Sequence, residues 1–167
     1  MTGQVETVLV CAVLVAAAVI DARSRIIPNA LVATLVCIRV ARIATAVASG
    51  AVVPLVRASV AGLLAVLAVL ALLAATERVL RIEGGLGGGD VKLFCALGVC
   101  LGAERALATI LLACVLGVAF SVFGRRAGRR VDAFAMGPFV CAAHLLIVLA
   151  AVMVAGHSTC LECEIFS

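Results

Sequence analysis

Apolar residues fall along this chain in six blocks, at about residues 5–20, 30–48, 55–75, 91–101, 106–123 and 136–155. Charged or glycine-bearing breaks separate them. The blocks are apolar around their whole circumference, so each predicts a helix buried on every side, in lipid or in protein. Most are long enough for a bilayer, which needs about 20 apolar residues at 1.5 Å rise. The fourth is short. The pattern predicts an all-α polytopic membrane protein of about six transmembrane helices. The whole chain, 1–167, is expected to form one integral-membrane domain with its core at 5–155, followed by a short polar tail at 156–167.

One break differs from the rest. Glu83-Gly84-Gly85-Leu86-Gly87-Gly88-Gly89-Asp90-Val91-Lys92-Leu93 carries five glycines and then an acid and a base. A glycine costs a helix interior roughly 1 kcal/mol relative to alanine, so this run predicts irregular backbone ahead of the fourth helix. Within a membrane such backbone survives only where protein or water satisfies its polar groups. An acid beside it is a site hypothesis, because a charge at bilayer depth costs on the order of 3 kcal/mol.

Composition agrees with a membrane protein. The chain is 66% hydrophobic and 13% charged, with mean hydropathy +1.34, against about 45–50% apolar usage in soluble domains. The net charge of +4 gives no nucleic-acid signal, because the arginines sit in short loops between spans. Met1 to Glu6 has no basic residue, so the first span is expected to be retained rather than cleaved as a signal peptide. Six of the eight cysteines lie in apolar blocks, as small hydrophobes. Cys160 and Cys163 form a lone CxxC, half a zinc site at best.

The basic residues orient the chain. Arg23, Arg25, Arg78, Arg81, Arg125, Arg126, Arg129, Arg130 and Lys92 flank alternate breaks, against Arg57 and Arg105 on the other side. The positive-inside rule then puts the first, third and fifth loops in the cytoplasm and both termini outside. Arg39 and Arg42 are three apart on one helix face and either snorkel or meet an acid in the bundle. In this orientation Asp21 closes the first span and Asp90 opens the fourth, at one membrane depth near the cytoplasmic face.

Two facing carboxylates do not both ionise easily. The charged one can take a proton from water while the neutral one gives a proton to a carbonyl oxygen. That pair performs peptide hydrolysis without a cofactor or a metal, although two carboxylates can also hold Mg²⁺ or Mn²⁺, which only a chelator separates. Taken singly, Asp90 reads as a helix N-cap and Asp21 as the partner of Arg25 four residues on. The glycine run has no GK[ST] after it and is not a phosphate loop. His144 has no ligand-type neighbour at helical spacing and reads as a packed helix residue. Intramembrane acids and arginines also admit a small transporter or channel. An inert scaffold for a secretion or pilus machine has no need of a paired acid beside a glycine gap.

Asp21 with Arg25 and Ile27-Pro28-Asn29, and Gly87-Gly88-Gly89-Asp90-Val91-Lys92-Leu93, resemble the two aspartate motifs of the type IV prepilin peptidases. These are bacterial leader peptidases of the GxGD class of intramembrane aspartyl proteases. Gly137-Pro138-Phe139 resembles a third family segment, although Ala135-Met136 stands where relatives often carry proline and phenylalanine. The resemblance runs from about residue 8 to 148.

It implies that Asp21 and Asp90 are catalytic, and that Gly87, Gly88, Gly89, Lys92, Pro28 and Asn29 face the substrate. It implies a prepilin or pseudopilin substrate, whose basic leader is cut at the cytoplasmic face of the membrane, with pilus-assembly machinery as a further partner. Many relatives carry an N-terminal extension with two CxxC pairs and an N-methyltransferase activity. This sequence has no such segment, so cleavage without methylation is expected, as in short relatives that serve tight-adherence pili. Neither cofactor nor metal is implied.

Overall fold

The computed structural model describes residues 3–47, 50–80, 87–126 and 136–165. Among them all regular structure is helical: α1 (Gly3–Ser24), α2 (Asn29–Ala46), α3 (Val52–Leu80), α4 (Gly88–Leu101), α5 (Ala103–Arg126) and α6 (Gly137–Ile165). Five of these are long and apolar enough to cross a membrane, and α4 is the exception. The chain is a multi-pass membrane protein.

The five long helices close a ring. α1 packs on α2, α2 on α3, α3 on α5, α5 on α6, and α6 returns to α1. α4 packs inside against α2, α3 and α5. Its 14 residues span roughly 21 Å at 1.5 Å per residue, short of the ~30 Å hydrocarbon core. Protein rather than lipid covers it: Leu93, Phe94, Ala96, Leu97 and Cys100 are all buried. An all-round apolar helix of this length is therefore a core element, where the sequence pattern counted it as a sixth span. The ring helices turn Val8, Val53, Leu64, Leu111, Phe123 and Val152 outward, the apolar surface a bilayer requires.

Small residues bring α3 and α4 into close contact. A Cβ on Gly98 would lie 2.7 Å from the Gly62 carbonyl oxygen, and one on Gly62 would overlap the Gly98 carbonyl oxygen. In lipid, helices gain little from burying oil against oil, so this backbone approach supplies the packing. α4 ends at Gly102, whose φ of 78° suits glycine and whose N–H closes onto the Gly98 carbonyl at 3.1 Å.

Two helix ends differ from the sequence reading. α3 runs on through Thr76, Glu77 and Arg78 to Leu80, and α6 continues to Ile165 through the expected polar tail. No proline interrupts either stretch, and polar side chains are tolerated on a helix that leaves the hydrocarbon. Pro54 and Pro138 sit in the first turns of α3 and α6, where the missing N–H has no intrahelical partner to lose. Arg81, Glu83, Gly84, Gly85, Leu86, Arg129, Arg130 and Ala135 lie outside the described residues, as do the side chains of Arg125, Arg126, His157, Cys160 and Cys163.

Candidate active site

Asp21 lies in the last turn of α1 and is buried, with 5% of its surface exposed. Its Oδ2 accepts a hydrogen bond of 2.7 Å from the backbone N–H of Gly137, the first residue of α6. That N–H is one of the donors a helix start leaves unused, at the positive end of the helix dipole. A hydrogen bond to a carboxylate is about twice as strong as a neutral one. The contact leaves no room for a side chain: a Cβ on Gly137 would sit 2.9 Å from Oδ2 and 3.0 Å from Cβ of Asp21. Arg25 does not form an ion pair with Asp21 among the described residues. Arg25 is instead exposed, with φ of 54°, and its N–H closes onto the Asp21 carbonyl at 2.8 Å.

Asp90 is the third residue of α4, ahead of that helix's apolar run and outside the five spans. It does not cap the helix: the N-cap is Gly87, without a side-chain cap bond. The carboxyl is half-buried, and its pKa is raised to about 6, first by desolvation and then by the charge of Asp21. Gly87 adjoins it, with Asp90 Oδ2 3.3 Å from where a Cβ would stand. Gly88 opens onto free space.

The loop after α1 and the start of α4 interlock. Ile27 is buried, and Gly89 lies over it, a Cβ there falling 3.5 Å from Ile27 Cβ. Lys92 Nζ donates to Asn29 Oδ1 at 3.1 Å. Pro28, extended at φ −63° and ψ 134°, caps α2, and its carbonyl receives the Leu31 N–H at 3.1 Å. The segments holding the two aspartates are thus fastened at two points. Lys92 and Asn29 meet each other, Gly89 is in packing contact, Gly87 and Gly88 face outward beside Asp90, and Pro28 shapes the loop.

The sequence reading did not place Gly137 N–H or Ile27 in the site. A glycine-proline pair opening a helix was the available signal for the first. For Ile27, burial within a charged loop has no counterpart in the local pattern.

The remaining intramembrane charges lie elsewhere. Arg39 is buried, pairs with Glu6 at 2.9 Å, and donates to Ser59 Oγ at 2.8 Å and the Leu55 carbonyl at 3.2 Å. Arg42 stands 3.5 Å from the other oxygen of Glu6. Of the two expectations for these arginines, the acid in the bundle is the one realised. His144 is packed, 3% exposed, with neither ring nitrogen hydrogen-bonded among the described residues.

Among known proteins, no curated protein and no solved structure matches the chain. A family model does: the type IV leader peptidase family matches residues 8–122, more than two thirds of the chain, a stretch that includes both aspartates. On that match, the chain belongs to the type IV leader peptidase family.

Proposed function

We propose that this protein is an intramembrane aspartyl endopeptidase that removes the basic leader of a prepilin or pseudopilin, using Asp21 and Asp90 as its acid–base pair. The observation that carries the reading is the electrostatic coupling of the two acids. They come from separate helices, and the charge of Asp21 helps to raise Asp90 to about 6. Below about pH 6 Asp90 keeps the proton that general-acid catalysis needs.

The reaction then runs as follows. Asp21, steadied by Gly137 N–H, takes a proton from water as the water oxygen bonds to the scissile carbonyl carbon. Protonated Asp90 gives its proton to the carbonyl oxygen, yielding a neutral gem-diol. Asp90 then takes back a hydroxyl proton as Asp21 protonates the nitrogen, and the C–N bond breaks. Each carboxyl ends as it began. The open face at Gly87 and Gly88 suits the backbone of an extended substrate. In the orientation favoured by the arginine bias, this chemistry sits at the cytoplasmic face and both termini lie outside.

The test is a gel-shift assay with a co-expressed small pilin precursor. Wild type, Asp21→Asn and Asp90→Asn run side by side with protein levels checked. The expected result is cleavage by wild type alone. A variant that cleaves at the wild-type rate would overturn the two-aspartate mechanism.

A further inference from the structure

A second polar site occupies the opposite end of the bundle. From Asp21 back to Glu6 is 15 residues of α1, roughly 22 Å at 1.5 Å rise. There, the start of α1, the middle of α2 and the α4–α5 turn enclose a cavity of about 450 Å³. Gln4, Glu6, Thr7, Arg39, Leu101 and Arg105 are among its lining residues. Its size falls within the ~300–1,000 Å³ of small-ligand sites.

The charges around it do not balance. Glu6 is the only acid in the lining, and it is shared by Arg39 and Arg42 at 2.9 and 3.5 Å. Each guanidinium nitrogen of Arg39 already bonds to Glu6, Ser59 or Leu55, so its part is chiefly the positive field. Arg105 lines the cavity and has no ion pair among the described residues. Its neighbour Glu104 is exposed and does not line the cavity. Two lining arginines, Arg39 and Arg105, thus face one lining carboxylate, Glu6. This excess also lies at the end where the positive-inside rule disfavours arginine. A partly enclosed positive site attracts an anion, and a guanidinium matches a phosphate with two parallel hydrogen bonds.

We propose that this cavity binds one phosphate-bearing anion, with Arg105 and Gln4 as its contacts and Arg39 as the buried charge behind them. An anionic lipid headgroup and a free phosphate are the two sources of the same chemistry. The outer leaflet is implied only under the orientation proposed above. Binding itself requires neither that orientation nor peptidase activity.

The test uses the purified full chain in a neutral detergent, with phosphatidylglycerol, phosphatidylcholine of matched acyl chains, or inorganic phosphate added. Native mass spectrometry reads lipid retention and thermal melting reads stabilisation. Wild type and Arg57→Gln, a control arginine outside the cavity, are expected to prefer phosphatidylglycerol. Arg105→Gln is expected to lose at least about fivefold of that preference, as befits one charge-assisted contact, and Arg105→Lys to keep part of it. Stabilisation by inorganic phosphate alone, abolished by Arg105→Gln, would assign the free anion as the source. Should Arg105→Gln not fold, Gln4→Leu reads the same preference. The proposal falls if neither phosphatidylglycerol nor inorganic phosphate favours wild type over the cavity variant that folds.

Discussion

The two ends of the bundle handle charge in opposite ways. At one end Arg39, buried, has each of its nitrogens bonded, to Glu6, Ser59 and the Leu55 carbonyl. At the other, Asp21 is equally buried but meets only a backbone N–H, and Asp90 has no cationic partner among the described residues. Arg39 with its acid joins α1, α2 and α3. Among the described residues Asp21 and Asp90 are left free of arginine, although Arg23 and Arg25 are close in sequence. A charge whose every nitrogen is bonded to a neighbouring helix holds helices together. An acid without a counter-ion can still exchange a proton. On this contrast, substitution at the Asp21 end should cost activity and spare stability, and substitution at the Arg39 end should do the reverse.

The largest expected effect is on catalysis. Asp21→Asn and Asp90→Asn should each reduce cleavage by about 10²–10⁴-fold, the usual share of one acid–base group, with folded protein still recovered. Asp90→Asn carries a further sign. The fold raises the Asp90 pKa, so the group adds stability that is complete below its unfolded value of 3.8 and gone above about 6. At neutral pH the fold therefore opposes the charge, and the asparagine variant should melt no lower than wild type. A clear drop in its melting temperature would blur the distinction between the two ends.

Arg39→Leu comes next. It strands Glu6 with Ser59 in an apolar bundle, where breaking a buried pair costs about 3–5 kcal/mol. Arg42, still 3.5 Å from Glu6, should hold the loss near the lower figure. Thermal melting in detergent measures it. Loss of cleavage at unchanged stability would instead place Arg39 in the chemistry.

The aspartate end was the more legible in the sequence, because acids and glycines stand out against an apolar background. Asp21, Asp90, the glycine run and the brevity of the fourth helix could all be read locally. What depends on distant partners could not be read locally. The pairing of Arg39 with Glu6 spans 33 positions, and no local pattern encodes it. The interior place of α4 follows from closure of the ring by the other five helices. Gly137 acts through its backbone N–H, a donor that nearly every residue has, so its identity alone did not reveal it. α3 and α6 overran their expected ends because hydropathy marks where lipid stops, and these helices continue beyond that point.

Gly137→Ala tests that donor. The added methyl would lie 2.9 Å from Asp21 Oδ2, so either the carboxylate or the α6 start must shift. A displacement near 1 Å in a reacting group costs about 10²-fold, and cleavage should fall by that order with a smaller effect on melting. Cleavage by Gly137→Ala at the wild-type rate would argue against a special role for the Gly137 contact.

The smallest effect, a shift in one titration, bears most directly on the coupling. Asp90 must hold a proton to protonate the carbonyl oxygen, so kcat/KM should fall as pH rises through about 6, by tenfold per unit once the acid is mostly ionised. The infrared carbonyl band of the protonated carboxyl should disappear over the same range. Desolvation is the first cause of the raised value and the charge of Asp21 the second. Asp21→Asn removes only the second, so the band should then vanish at lower pH while remaining above the ordinary carboxylate range. An unchanged midpoint would mean that burial alone sets the proton affinity of Asp90, and the two acids would be neighbours without being a pair.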